Sequence, residues 1–307
     1  MLVLTWKRGM PRPDVDPRAR PFEALGSRTQ CGNPACSGRW LAFLKDRCRP
    51  VFEGQWGCSA KCVEAMVKAA IRREAGEGGE VEDGGEHHHR VPLGLILLTR
   101  GWINHSQLQH ALDMQRRAGR GRIGDWLIKE CGLKEECVIR GLAVQWRCPV
   151  LPVEGFKPEA MALTMPKVLV DRLGMVPLRI VGESIFYLAF EDRLDASAAF
   201  AMERMSGLKS QSGLADGAEL QTARRRLCEC DFVDARVEHA EDVAAMAKKA
   251  ALALNELQPR ASRLVRVHQF YWLRMWLEMG AMRTRDGGIP VTKEDVVDRI
   301  YMVGVEQ

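Results

Sequence analysis

Apolar residues recur at helical spacing twice in the middle of the chain, and the two stretches share one order of positions. Residues 93–115 read L-G-L-I-L-L-T-R-G-W-I-N-H-S-Q-L-Q-H-A-L-D-M-Q. Residues 123–145 read I-G-D-W-L-I-K-E-C-G-L-K-E-E-C-V-I-R-G-L-A-V-Q. At a constant offset of thirty residues Gly94 pairs with Gly124, Leu97 with Leu127, Leu108 with Val138, Ala111 with Gly141, Leu112 with Leu142 and Gln115 with Gln145.

Each copy predicts a short helix, a turn and a second helix. Leu93, Ile96 and Leu97 fall on one face of the first. Gly101 stops that helix, and Asn104 with Gln107 three residues on is the signature of a new N-terminus. Leu108, Ala111, Leu112 and Gln115 then share a face of the next helix. Two such hairpins cannot bury their stripes separately, so the copies are expected to pack as one four-helix unit over residues 90–150.

Beyond the repeats the period changes. Residues 178–181 and 185–190 alternate in polarity on either side of Gly182-Glu183, a hairpin pattern. Residues 192–205 read helical up to Gly207, and residues 217–227 offer another helix, giving a small α/β subdomain over 151–227. In the remainder, 228–307, Phe232 and Val233 suggest a strand and residues 240–257 a long Ala-rich helix. Residues 263–267 and 271–277 suggest two more strands, and Thr292 is placed to cap a last helix running through 301. The aromatic residues Phe270, Tyr271, Trp272 and Trp276 read as core.

Upstream stand two close cysteine pairs, C-G-N-P-A-C from Cys31 and C-S-A-K-C from Cys58. Cys31, Cys36, Cys58 and Cys62 are what tetrahedral thiolate coordination needs, two short-spaced pairs joined by a loop, and zinc is the ion such a set selects. Cys48 is an alternative ligand, and Trp40, Leu41, Phe43 and Leu44 are placed to pack around the metal. A helix is expected over 63–74. The Gly and acidic tract at 76–89, ending in His87, His88 and His89, reads as a linker separating this module (31–75) from the repeats, and residues 1–30 as a tail. Cys228 and Cys230 form a lone C-x-C without a partner pair, and His239 and His268 lack a nucleophile or carboxylate arrangement that would nominate them as catalytic.

The order L-G, apolar pair, glycine, L-x-x-A-L-x-x-Q, present twice, resembles the MshEN family, the N-terminal domains of type II secretion and type IV pilus assembly ATPases. That resemblance extends through about residue 227. It implies cyclic di-GMP as a ligand, each repeat giving an Arg-apolar-Gly start and a terminal Gln to half of the dinucleotide. Residue by residue it points to Leu93, Gly94, Leu97 and Gln115 in the first copy and Arg122, Ile123, Gly124, Leu127 and Gln145 in the second. The chemistry suits these residue types, since Arg offers a planar fork to phosphate or a guanine edge, and Gln can bond a base edge. The first copy departs from the pattern with Pro92 where Arg is expected and Arg90 two residues earlier. The second has Cys131 at the inter-helix glycine, with Gly132 following.

The ATPase core itself is not expected. A phosphate-binding loop needs a Gly-Lys pair, and that dipeptide does not occur in the chain. The 307 residues carry a formal charge of +5, too small an excess to argue for nucleic acid. No apolar run approaches the roughly 20 residues of a membrane helix, and ten cysteines without a secretory signal suit a reducing, cytoplasmic location. The sequence therefore predicts an α+β multidomain protein, not an enzyme: an N-terminal four-cysteine zinc module, a four-helix MshEN-like unit and small α/β subdomains. As a regulatory or adaptor protein it would have a protein partner in a secretion, pilus or related system. Two other readings stand beside it, a docking adaptor without a small-molecule ligand and a zinc-dependent nucleic-acid regulator.

Overall fold

The computed structural model describes residues 31–36, 50–76, 90–182, 184–278 and 289–304. Cys48, Trp40, Leu41, Phe43, Leu44 and the three consecutive histidines lie outside them. The architecture is α+β, with a helical unit and two separate mixed sheets.

Strands β1 (Val51–Phe52) and β2 (Gln55–Trp56) form a hairpin whose two loop residues, Glu53 and Gly54, both have positive φ, the conformation that matches the twist of a tight hairpin. Helix α1 (Ala60–Ala75) follows. Ser59 caps it by accepting the Cys62 N–H at 3.3 Å, and Gly76 closes it in the left-handed region.

The repeats form α2 (Leu93–Thr99), α3 (His105–Ala118), α4 (Ile123–Cys131) and α5 (Glu135–Trp146). Asn104 and Gln107 make the reciprocal cap that the sequence predicts, at 2.8 and 2.9 Å. The copies interleave, with α3 lying along α4 and α2 along α5. Their shared core joins Leu93, Leu97, Leu108, Ala111, Leu127 and Val138 to Ile103 and Leu133, another pair thirty residues apart.

The central unit runs α6 (Pro158–Ala162), α7 (Lys167–Leu173), β3 (Met175–Val181), β4 (Ile185–Phe190), α8 (Ala196–Ser206), β5 (Lys209–Leu214), α9 (Gly217–Cys228). The predicted hairpin is β3 and β4; β5 returns parallel to β4 after the α8 crossover, giving the order β3-β4-β5. Residues 149–151 then bond to Leu214 and join the repeats to this sheet, and Ile139 and Ala143 of α5 enter its core.

The C-terminal sheet is built from β6 (Ala235–Ala240), β7 (Ala261–Val267), β8 (Phe270–Trp276) and β9 (Val296–Val303), in the order β6-β9-β8-β7, with α10 (Val243–Leu257) between β6 and β7. All seven residues of β8 are buried, because both faces of the sheet are covered. Phe270, Trp272 and Trp276 point into the core shared with the central unit. Tyr271, Leu273 and Met275 point into a second core beneath α1 and α10.

Three expectations change. Residues 292–301 include most of β9 and form no helix: Val296, Asp298 and Ile300 alternate inward with period 2. Phe232 and Val233 precede the sheet, whose strand starts at Ala235. The cysteine module is also not a separate body, since Phe52, Val63, Met66, Val67, Ala70 and Ile71 share one core with α10 and the sheet.

Candidate functional site

Pro92 and Arg122 both stand at the N-cap position of their repeat, so Pro92 occupies the place equivalent to the arginine. Arg90 does not substitute for it. Its guanidinium stacks on the Trp146 ring, 3.4 Å from the centroid. The repeat glycines allow helices to approach. A Cβ on Gly94 would meet Leu108 at 2.6 Å, one on Gly124 would meet Val138 at 2.9 Å, and one on Gly141 would meet Leu93 and Leu97 at 2.8 and 2.9 Å. The terminal glutamines cross between the copies. Gln115 donates to the Gly121 carbonyl and Gln145 to the Val91 carbonyl, each at 2.8 Å, and the two acceptors are again thirty residues apart.

A cavity of about 320 Å³ opens where the second copy meets the central unit. Leu93, Arg122, Ile123, Gly124 and Gln145 line it, so five of the nine ligand residues read from the sequence converge. Leu97 and Leu127 are instead fully buried in the repeat core, Gly94 sits under Leu108, and Gln115 serves the opposite junction. The cavity also holds carboxylates that the repeat pattern did not reveal: Asp125, Glu135, Glu191 and Asp192. Asp192 pairs with Arg122 at 2.7 Å. Glu191 and Asp192 come from the loop after β4, and only the tertiary fold brings them to the repeats.

The second constellation is the cysteine cluster. The ligand atoms of Cys31, Cys36, Cys58 and Cys62 all lie within 4.8 Å of one another, so the four residues could hold a metal ion. Two come from the loop before β1, Cys58 from the turn after β2, and Cys62 from the first turn of α1. Cys36 and Cys58 sulfurs are 3.4 Å apart, and Cys58 and Cys62 are 3.6 Å apart. On a tetrahedron with metal–sulfur distances of 2.3 Å, two sulfurs stand about 3.8 Å apart, so the cluster is close to the size of a zinc site.

Two N–H donors already face these sulfurs, Cys58 N–H toward Cys31 and Asn33 Nδ2 toward Cys62, each at 3.4 Å. Donors of this kind stabilise thiolates that bind a metal and fix their direction. Cys58 and Cys62 are shifted in opposite directions. Burial, followed by hydrogen bonds with Cys36, Cys62 and Cys31, pushes Cys58 up to about 12. Burial also raises Cys62, but hydrogen bonds involving Ser59, Asn33, Cys58 and Cys36 outweigh it and bring that thiol down to about 6. Four like charges at this separation oppose one another, and a divalent cation among them removes that opposition.

His268, for which the sequence shows no carboxylate partner, has one in the fold. His268 Nε2 lies 2.6 Å from Asp195 Oδ2, and Asp195 also caps α8. Cys228 faces Asp171 at 3.7 Å, and burial raises its thiol. Among the described residues no helix is long and apolar enough to cross a membrane.

No family model matches the chain, and no curated protein matches it. Among solved structures it is similar to MshE with cdg, at 28% identity over 45% of this chain and 99% of that one, with a TM-score of 0.38. It is also similar to the N-terminal domain of XpsE, at 18% identity over 44% of this chain and 92% of that one, with a TM-score of 0.32. A second crystal form of that domain gives 18% identity, 42% and 90% coverage and a TM-score of 0.27.

Proposed function

We propose that this chain is a non-catalytic regulatory or adaptor protein whose tandem repeats receive cyclic di-GMP and whose cysteine cluster holds zinc, acting in the cytoplasm on a protein partner of a secretion, pilus or related system. The observation that carries the ligand reading is the convergence of Arg122, Ile123, Gly124, Gln145 and Leu93 on one cavity. Arg122 supplies the charge for a phosphate, and Leu93 and Ile123 supply apolar wall. A guanine edge carries adjacent N–H donors, and the neighbouring carboxylates are acceptors for them. With Pro92 at the equivalent place in the first copy, a single half-site does the binding.

Calorimetric titration with cyclic di-GMP tests this reading. Wild type should release or absorb heat, and Arg122→Ala should lower affinity by about tenfold to a hundredfold, the worth of a charged hydrogen bond. No heat and no thermal shift with wild type and Pro92→Arg alike would leave the second reading, a docking adaptor without a small-molecule ligand. That alternative is favoured by the Arg122–Asp192 pair and by the engagement of both glutamines inside the repeat unit. A nucleic-acid regulator would instead show DNA binding that falls steeply with salt. Non-catalytic status is checked by an ATPase assay with magnesium, where a turnover abolished by a point substitution in this chain would overturn it.

A further inference from the structure

We infer that the ion at Cys31, Cys36, Cys58 and Cys62 is the fastener of a discontinuous domain, holding the N-terminal module closed over both one face and one edge of the C-terminal sheet. This rests on the zinc occupancy proposed above and is independent of the dinucleotide.

Among its described residues the module has little core of its own. The apolar stripe of α1, Val63, Met66, Val67, Ala70 and Ile71, packs with Met246, Ala247, Ala250 and Leu254 of α10 and with Leu264, Leu273 and Tyr301 of the sheet. The same module covers the outer edge of β7. Val51 N–H bonds to the Pro259 carbonyl at 3.1 Å, Glu53 N–H bonds to the Ser262 carbonyl at 2.9 Å, and Ser262 Oγ donates to the Val51 carbonyl at 2.9 Å. An uncovered strand edge pairs readily with other chains, so this cover matters for solubility as well as stability.

Helix α1 is held at both ends by different chemistry. At its last turn the nearly buried carboxylate of Glu74 accepts from Arg204 of α8 at 2.6 Å and from the Arg266 N–H of β7 at 3.3 Å. At its first turn stands Cys62, joined through the sulfur cluster to Cys58 after the β-hairpin and to Cys31 and Cys36 before it. All four ligands belong to the module itself, so the ion acts by locking the hairpin that covers the sheet edge to the start of the helix that covers the sheet face, and its loss loosens both covers together.

The test is hydrogen exchange by mass spectrometry on the full chain, zinc-loaded and after removal of the ion with a strong chelator, with zinc content measured in parallel. The inference expects one zinc per chain. On removal, exchange should rise by about tenfold or more in 50–76, 243–257 and 261–267 while 93–145 keeps its protection, and zinc should restore it. Cys62→Ser should reproduce the chelated pattern, and Cys31→His, which preserves a zinc-competent set, should keep the loaded one. If Cys62→Ser does not fold, the chelated wild type carries the comparison. Zinc bound with exchange changes confined to 31–36 and 50–62 would overturn the fastener and leave the metal site standing. No zinc retained after reconstitution would overturn both.

Discussion

Arg274 and Asp298 meet through two hydrogen bonds, Nε to Oδ1 at 2.9 Å and Nη2 to Oδ2 at 2.8 Å, with side chains 2% and 0% exposed. The pair is further completed on both sides. Trp272 Nε1 donates to Asp298 at 2.8 Å, and Arg274 Nη1 reaches the Leu163 and Thr164 carbonyls of the central unit at 3.0 Å. One buried guanidinium thus ties β8 to β9 and the C-terminal sheet to the loop between α6 and α7.

Removing one partner leaves the other charge buried without compensation, which typically costs about 3–5 kcal/mol. Arg274→Met should therefore lower the midpoint of urea unfolding by an amount of that order. Arg274→Met combined with Asp298→Leu should recover part of the loss, though the Trp272 N–H would remain unsatisfied. A single variant as stable as wild type would show that this pair is not holding the units together.

Gly141→Ala should destabilise the repeat unit by about 1–3 kcal/mol, the usual cost of overpacking a core. Its methyl would approach two leucines at once, and one of them, Leu97, is fully buried. Thermal unfolding followed by circular dichroism measures the loss, and an unchanged midpoint would mean that α2 and α5 can move apart freely.

Gln115→Ala and Gln145→Ala should behave alike. Each removes one hydrogen bond between the copies, worth about 0.5–1.5 kcal/mol and nearer the lower figure because both sites are solvent-accessible. Comparing the two melting temperatures without ligand separates a role in the fold from a role confined to binding, since a glutamine used only for a guanine edge would leave the ligand-free melting temperature unmoved.

Asp192→Asn should raise affinity for cyclic di-GMP. The Arg122–Asp192 pair is substantially exposed on both sides, and such pairs contribute about 0.2–1 kcal/mol, so releasing the arginine predicts a gain of about 1.4-fold to fivefold. Titrations of wild type and variant at low and high salt check it, and equal or weaker binding by the variant at both would show that Asp192 does not compete with the ligand.

The repeat unit was legible in the sequence because its information is local. A period of 3.6, the Asn104–Gln107 cap and small residues at matched positions specify both the helices and their close approach. The cysteine cluster was legible from its spacing. The last strand differs from the helix expected there because Thr292, placed to cap a helix, instead bonds Asp295 at 2.6 Å before the strand, and because the buried Asp298 faces inward. Its inward direction depends on Arg274, which the chain supplies from another strand. The pairing of α1 with α10 and the arrival of Glu191 and Asp192 at the cavity are likewise long-range facts, set by how the two cores close.

The covering of the C-terminal sheet by α1 and the β-hairpin has a consequence for biosynthesis. The bond from Ser262 to Val51 spans 211 residues, and at about 5–20 residues per second the ribosome needs about 10 to 40 s to deliver the acceptor's partner. For most of that interval the nascent α1 has neither α10 nor β7 to lie on, while the repeats, whose contacts are local, can fold as they emerge. The hairpin and α1 are therefore translated early and secured late, and any expression fragment starting at residue 90 leaves α10 and the β7 edge bare from the outset.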